Sequence, residues 1–145
     1  MADHITDSLW LGNIDDAMVF DGEIITCLQD MPKGVPKRAL WIPIIRTSSS
    51  LNEYQMISEQ DVDVIALRQQ LDLVAREIEE RMKLRKRTLV HCIGGIERSP
   101  LATVWWLHKY RGMSLNDAYN FVKTKRPIVM NRLEWLNPTF EEATE

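Results

Sequence analysis

His91-Cys92-Ile93-Gly94-Gly95-Ile96-Glu97-Arg98-Ser99-Pro100 follows a short apolar run, Thr88-Leu89-Val90, and precedes an amphipathic stretch from Leu101 to Tyr110. The order is strand, glycine-bearing loop, helix, with the helix predicted to start at about Pro100. A cysteine opens the loop and an arginine closes it, with five residues between them. A chain that runs from a strand into a helix N-terminus leaves several backbone N–H groups without intrachain partners. Gly94 and Gly95 give the backbone the freedom to turn those groups toward one point, forming an anion nest. The helix adds roughly half a positive charge at its tip, and Arg98 offers a planar fork matched to two phosphate oxygens.

Cys92 lies under this positive cup. An ordinary thiol ionises near about 8.5, and helix N-termini with neighbouring cations lower that to roughly 3.5–7.5. The field that holds an oxyanion therefore also makes a nucleophilic thiolate. Taken singly, each part has a plainer meaning. A cysteine at a strand end reads as a small buried hydrophobe, an arginine at a helix start as a solvated charge, and a Gly-Gly pair as a turn. Their coincidence at this spacing favours the anion site. The loop lacks the lysine and the longer spacing of a nucleotide-binding P-loop.

The 145 residues are long enough for one domain with a core of its own, and the boundary is drawn at residues 1–145. With 45% hydrophobic and 27% charged residues the composition is that of a soluble globular chain. A net charge of −3 speaks against a dedicated nucleic-acid binder. No apolar run approaches membrane-spanning length and no signal-peptide pattern stands at the N-terminus, which points to the cytoplasm. Cys27 and Cys92, far apart in sequence, suit a reducing compartment better than a disulfide framework. Cys27 reads as a buried strand residue; a reversible disulfide with Cys92 is the alternative.

Along the chain, Leu9–Leu11, Glu23–Leu28 and Ala39–Ile45 read as strands, the last buried on both faces. Asn13 caps a short helix from Ile14 to about Val19. The Met31–Pro36 region is a turn and Arg46–Gln60 is polar and irregular. The longest helix is predicted to include Ile65, Leu67, Leu71, Val74, Ile78 and Met82 on its apolar face, closed by Lys83, Arg85, Lys86 and Arg87. That basic run reads as a solvated helix end, with a docking patch for acidic partners as the alternative. Leu101, Val104, Trp105 and His108 share a face of the next helix, where the tryptophans read as packing residues. Ser114 caps another, with Asp117 as its capping-box partner. A last helix is placed in the Arg132–Glu142 region. Alternating strands and helices imply a three-layer α/β domain. Its central sheet is mostly parallel, of four or five strands, with helices on both faces. The Cys92 loop then lies at the carboxyl end of a central strand, where such sheets bind ligands.

His91 through Ser99 resembles the signature loop of the protein tyrosine phosphatase superfamily, a His-Cys, five residues and Arg-Ser/Thr. The stretch Gly112-Met113-Ser114-Leu115-Asn116-Asp117-Ala118, then Val122 and Arg126-Pro127, resembles the dual-specificity branch, as does Leu9-Trp10-Leu11-Gly12-Asn13 with Ala17. The resemblance implies a cysteine-dependent phosphatase acting on phosphotyrosine in proteins, with phosphoserine and phosphothreonine as the wider range. Cys92 would be the nucleophile. Arg98 and the loop from Ile93 through Gly94, Gly95, Ile96, Glu97 and Ser99 would hold the phosphate. Ser99 would donate to the sulfur, and His91 would brace the loop rather than act as a base. Phosphorylated proteins are the implied partners, and no metal or other cofactor is needed for this chemistry.

Two positions depart from the pattern. The family's general acid is an aspartate on a loop after the preceding strand, roughly 30 residues before the cysteine. Arg46, Thr47 and Ser48 stand directly after Trp41–Ile45 here, with no aspartate. By distance from Cys92, Asp61 is the leading candidate, followed by Asp63 and Glu53, with Glu134 on a later loop. Asp61 also fits a capping box, Ser58-Glu59-Gln60-Asp61, and a site without an acid is the remaining alternative. Glu97 is the second departure. A carboxylate inside a phosphate loop is tolerable if its side chain points outward and only its N–H faces the anion. Asn131 matches a family position that places the hydrolytic water. Two other functions compete: a phosphatase of RNA 5′-triphosphate ends or phosphoinositides, and a non-catalytic phosphate-binding module.

Overall fold

Residues along the strands alternate between two faces, and each face finds its own cover. The computed structural model describes residues 1–46 and 64–136. β1 (Asp3–Thr6), β2 (Leu9–Gly12), β3 (Glu23–Thr26) and β4 (Leu40–Trp41) join a central strand, Thr88–His91, in one five-stranded sheet. Numbered in chain order, that central strand is β7, because β5 (Ile45–Arg46) and β6 (Ile65–Ala66) form a separate antiparallel pair. The sheet order is β1-β2-β7-β3-β4. Leu11 and Ile25 both stand opposite Val90 in parallel register, β4 runs parallel to β3, and only β1 is antiparallel. The mostly parallel sheet predicted from the sequence is therefore present.

Leu9, Leu11, Ile25 and Val90 turn toward α2 (Arg68–Lys83), α3 (Arg98–Arg111) and α4 (Leu115–Lys125). Ile24 and Leu89 turn the other way, toward Ala17 of α1 (Ile14–Val19) and toward Val35 and Ala39. Helices thus cover both faces. α1 starts where the sequence places it. Asn13 Oδ1 accepts from the Asp16 N–H at 2.8 Å, and Asp16 Oδ2 accepts from the Asn13 N–H at 2.9 Å.

Four expectations need correction. Ala39–Ile45 is not one strand, and Trp41 within it is 47% exposed. Pro43 has no N–H to extend a ladder, so the chain leaves the sheet after Ile42 donates to the Thr26 carbonyl. Ile65 belongs to β6 rather than to the long helix, and Leu67 is the N-cap of α2. The Ser58–Asp61 box therefore does not open α2; it lies outside the described residues. α3 begins at Arg98 rather than about Pro100, and it is not amphipathic over its first three turns. Every residue from Arg98 to Leu107 is buried, because α3 is enclosed by the sheet, α2 and α4. Its two tryptophans bury fully, each contributing about 4–6 kcal/mol by area. Their indole N–H groups are satisfied by Asp72 at 2.8 Å and Glu79 at 3.1 Å, both on α2. Finally, the capping box at α4 is one-sided: the Ser114 hydroxyl accepts from the Asp117 N–H at 3.1 Å. Of the last helix, a 3₁₀ turn at Leu133–Leu136 is described; residues 137–145 lie outside.

Candidate active site

β7 is buried along its whole length and delivers Cys92 to the carboxyl end of the sheet, 2% exposed. The loop then turns into α3 at Arg98. Gly95 makes the turn with φ +66°, and a Cβ there would stand 2.5 Å from the Gly12 carbonyl oxygen. Gly94 has no positive φ, so the left-handed step expected of the pair falls to Gly95 alone.

Each carbonyl of the loop has a hydrogen-bond donor. Cys92 O accepts from His91 Nδ1 at 2.9 Å and Ile93 O from the Ile14 N–H at 2.9 Å. Arg126 donates from Nη2 to Gly94 O at 3.0 Å and from Nε to Gly95 O at 2.9 Å. Ile96 O accepts from the Met130 N–H at 2.9 Å, and Glu97 O from the Leu101 N–H at 3.4 Å. The carbonyls of Ile93 to Ile96 are thus tied to other parts of the fold, while Cys92 O takes the preceding side chain and Glu97 O the first turn of α3. A peptide whose carbonyl is held outward presents its N–H inward, as a nest requires. Arg126 itself is buried and fixed further by Asp3 Oδ2 at 2.8 Å and by the Met1 carbonyl at 2.9 Å.

Burial alone would favour the neutral thiol of Cys92. The Arg98 guanidinium, the Ser99 hydroxyl and N–H and the Gly95 N–H outweigh it, and the thiol is held below its ordinary range. Ser99 Oγ donates to Cys92 Sγ at 3.2 Å. Cys27 follows β3 beside this site, its N–H donating to the His91 carbonyl at 3.0 Å. Burial and the neighbouring Cys92 charge push its thiol well up, so it stays protonated. Both cysteines are free.

His91 is fully buried, and burial pushes its imidazole down, toward the neutral form. A carbonyl only accepts, so Nδ1 carries the proton given to Cys92 O. Nε2 then accepts from the Thr26 hydroxyl at 2.8 Å. With both nitrogens engaged, His91 braces the loop.

Glu97 is 4% exposed, and its side chain meets an arginine rather than solvent. Arg132 donates to Glu97 Oε1 from Nε at 2.9 Å and from Nη2 at 2.6 Å. The same guanidinium donates from Nη1 to Glu134 Oε1 at 3.3 Å. Asn131 Oδ1 accepts from the Leu133 N–H at 2.9 Å, closing the turn that leads into the 3₁₀ segment. Asp61, Asp63 and Glu53 lie outside the described residues.

Sequence reasoning found Cys92, Arg98, Ser99 and His91, which the fold brings together. It missed Arg132 and the supporting role of Arg126, noted only as part of a motif. It also missed the N–H groups of Ile14 and Met130. Two of these supports are main-chain groups that leave no residue signature.

The dual specificity phosphatase catalytic-domain family matches residues 9–140. Dual specificity protein phosphatase 14 of Mus musculus is 30% identical over 132 residues, covering 89% of this chain and 62% of that protein. The chain spans 60% of the Homo sapiens protein of the same name. Among solved structures, DUSP15 superposes with a TM-score of 0.67 at 20% identity, covering 97% of this chain and 83% of that one. Tk-PTP in its active form gives 0.61 at 25% identity, covering 97% and 94%.

Proposed function

This chain belongs to the dual specificity phosphatase catalytic-domain family, and from that premise we propose that it is a cysteine-dependent protein phosphatase. The proposed substrate is phosphotyrosine in proteins, with phosphoserine and phosphothreonine as the wider range. Residues 1–145 act as a single catalytic domain.

In the first step the Cys92 thiolate attacks phosphorus in line. An S–P bond forms and the P–O bond to the side-chain oxygen breaks. In the second step water attacks the phosphocysteine and gives a proton to the carboxylate that protonated the leaving oxygen; the S–P bond breaks, and inorganic phosphate leaves with Cys92 restored as thiolate and the acid reprotonated. Arg98 and the N–H groups from Ile93 to Ser99 stabilise the equatorial oxygens throughout. The Ser99 hydroxyl stabilises the sulfur as it departs. The leaving oxygen takes its proton from Asp61 in this scheme, with Asp63, Glu53 and Glu134 as the other carboxylates to test; a proton donor adds about 10²–10⁴-fold.

The observation that supports this most is the outward anchoring of each loop carbonyl around a thiol held below its ordinary range. Among the described residues no helix is long and apolar enough to cross a membrane. Two free, buried cysteines suit a reducing compartment, and the cytoplasm is the proposed place of action.

The deciding experiment is turnover of p-nitrophenyl phosphate followed by phosphopeptides bearing each phosphoresidue. Release of phosphate from both, lost in Cys92→Ser, supports the proposal. Phosphopeptide binding without turnover makes the chain a phosphate-binding module instead.

A further inference from the structure

Glu97 places a carboxylate immediately before Arg98, in a loop that has to receive a dianion. Its residue is 4% exposed, so water does little to screen the charge. Arg132, 5% exposed, meets it with two donors on one oxygen. Arg132 is itself held from several sides. Its N–H donates to the Tyr119 hydroxyl at 3.2 Å, and Nη1 reaches Glu134. The guanidinium carbon lies 5.5 Å from the centre of the Trp135 ring. Arg126 is no substitute, because it already serves Gly94, Gly95, Asp3 and Met1.

We propose that Arg132 is a positioning residue that keeps the Glu97 carboxylate turned away from Arg98 and the anion pocket, so that oxyanion affinity depends on the Glu97–Arg132 pair as a unit. This rests on the loop being an oxyanion site. Freed of Arg132, the Glu97 carboxylate competes with the incoming anion for Arg98. Removing Glu97 together with Arg132 takes away the competitor and its restraint at once.

The test is equilibrium binding of orthovanadate, read by intrinsic tryptophan fluorescence and checked against competitive inhibition by inorganic phosphate. Arg132→Gln should weaken orthovanadate binding by about tenfold or more, the range seen when one partner of a buried charge pair is truncated. Glu97→Gln, which removes the competing carboxylate and keeps the Glu97 N–H, should tighten binding. The double variant should return to within about threefold of the parent. Both single variants lose thermal stability in either case, so opposite effects on binding separate positioning from mere support.

Equal weakening by Glu97→Gln and Arg132→Gln, with no recovery in the double variant, overturns the proposal. Should Arg132→Gln fail to fold, Glu97→Gln decides it alone: unchanged or weaker binding overturns it, and tighter binding supports it. A parent protein that binds no orthovanadate overturns the oxyanion site itself, a result distinct from the one that removes only the role of Arg132.

Discussion

The Ser99 hydroxyl donates to the Cys92 sulfur over 3.2 Å, across the junction between loop and α3. The bond favours the charged sulfur over the neutral one. A hydrogen bond to a charged group contributes about 1.5–3 kcal/mol, or about one to two pKa units at 1.36 kcal/mol each. Ser99→Ala should raise the Cys92 pKa by that amount, as read from the pH dependence of iodoacetate alkylation. It should also slow the second step more than the first, so that p-nitrophenyl phosphate gives a burst.

Cys92→Ser should cut turnover by more than about a thousandfold while the fold persists. Circular dichroism and orthovanadate binding check the fold, and phosphate release checks the loss. Residual activity within tenfold of the parent would move the nucleophile elsewhere.

Two opposed titrations shape the pH response. Cys92 ionises below the ordinary thiol value in the folded chain. The acid limb of kcat/KM should therefore rise with pH through a value below the ordinary one. The same shift stabilises the fold above the ordinary thiol value, and that contribution fades as pH falls through the depressed folded value. Cys27 is raised, so its contribution is present below the ordinary thiol value and is lost as pH climbs toward its folded value. Urea denaturation between about pH 6 and 10 should give a shallower rise for Cys92→Ala and a shallower alkaline fall for Cys27→Ala.

Arg126→Lys removes the fork that serves two loop carbonyls. Each buried acceptor left unsatisfied costs about 1–3 kcal/mol. Chemical denaturation should register a loss of about 2–6 kcal/mol, and kcat/KM should fall by about 10- to 100-fold as the peptides relax. Asp3→Asn, which keeps an acceptor for Arg126, should be much milder.

Gly95 and Gly112 share a left-handed φ but not their surroundings. An alanine Cβ at Gly95 meets the Gly12 carbonyl at 2.5 Å, whereas at Gly112 nothing lies within 4 Å. Gly112→Ala should cost about 1–2 kcal/mol from backbone strain alone. Gly95→Ala should cost more and abolish orthovanadate binding. Melting temperatures and fluorescence titration compare the two.

The strand-loop-helix order around Cys92 was legible because anion binding and thiol activation both need residue types at fixed spacing. The sheet was legible for a similar reason, since Thr88–His91 and Glu23–Thr26 are short, apolar and bounded by turn residues. Ala39–Ile45 misled because its apolar residues are buried for different reasons. Ile42 ends a sheet contact, while Ile44 and Ile45 pack beside α2 after the Pro43 break. Ile65 fitted a helical period because an amphipathic stripe does not mark where its helix begins. The Glu97–Arg132 pair was illegible for want of any local signal: the residues are 35 apart and meet only once α4 packs against α3.

Because the bowl over Cys92 is anchored by the start of α1, the end of β7, the first turn of α3 and the segment after α4, it has no hinge of its own. Local breathing at one anchor leaves the others engaged. The anchoring amides of Ile14 and Met130, which donate to the Ile93 and Ile96 carbonyls, should then exchange with deuterium only as slowly as the whole domain opens. On the proposed reading of the site, phosphate should spend none of its affinity on ordering this loop.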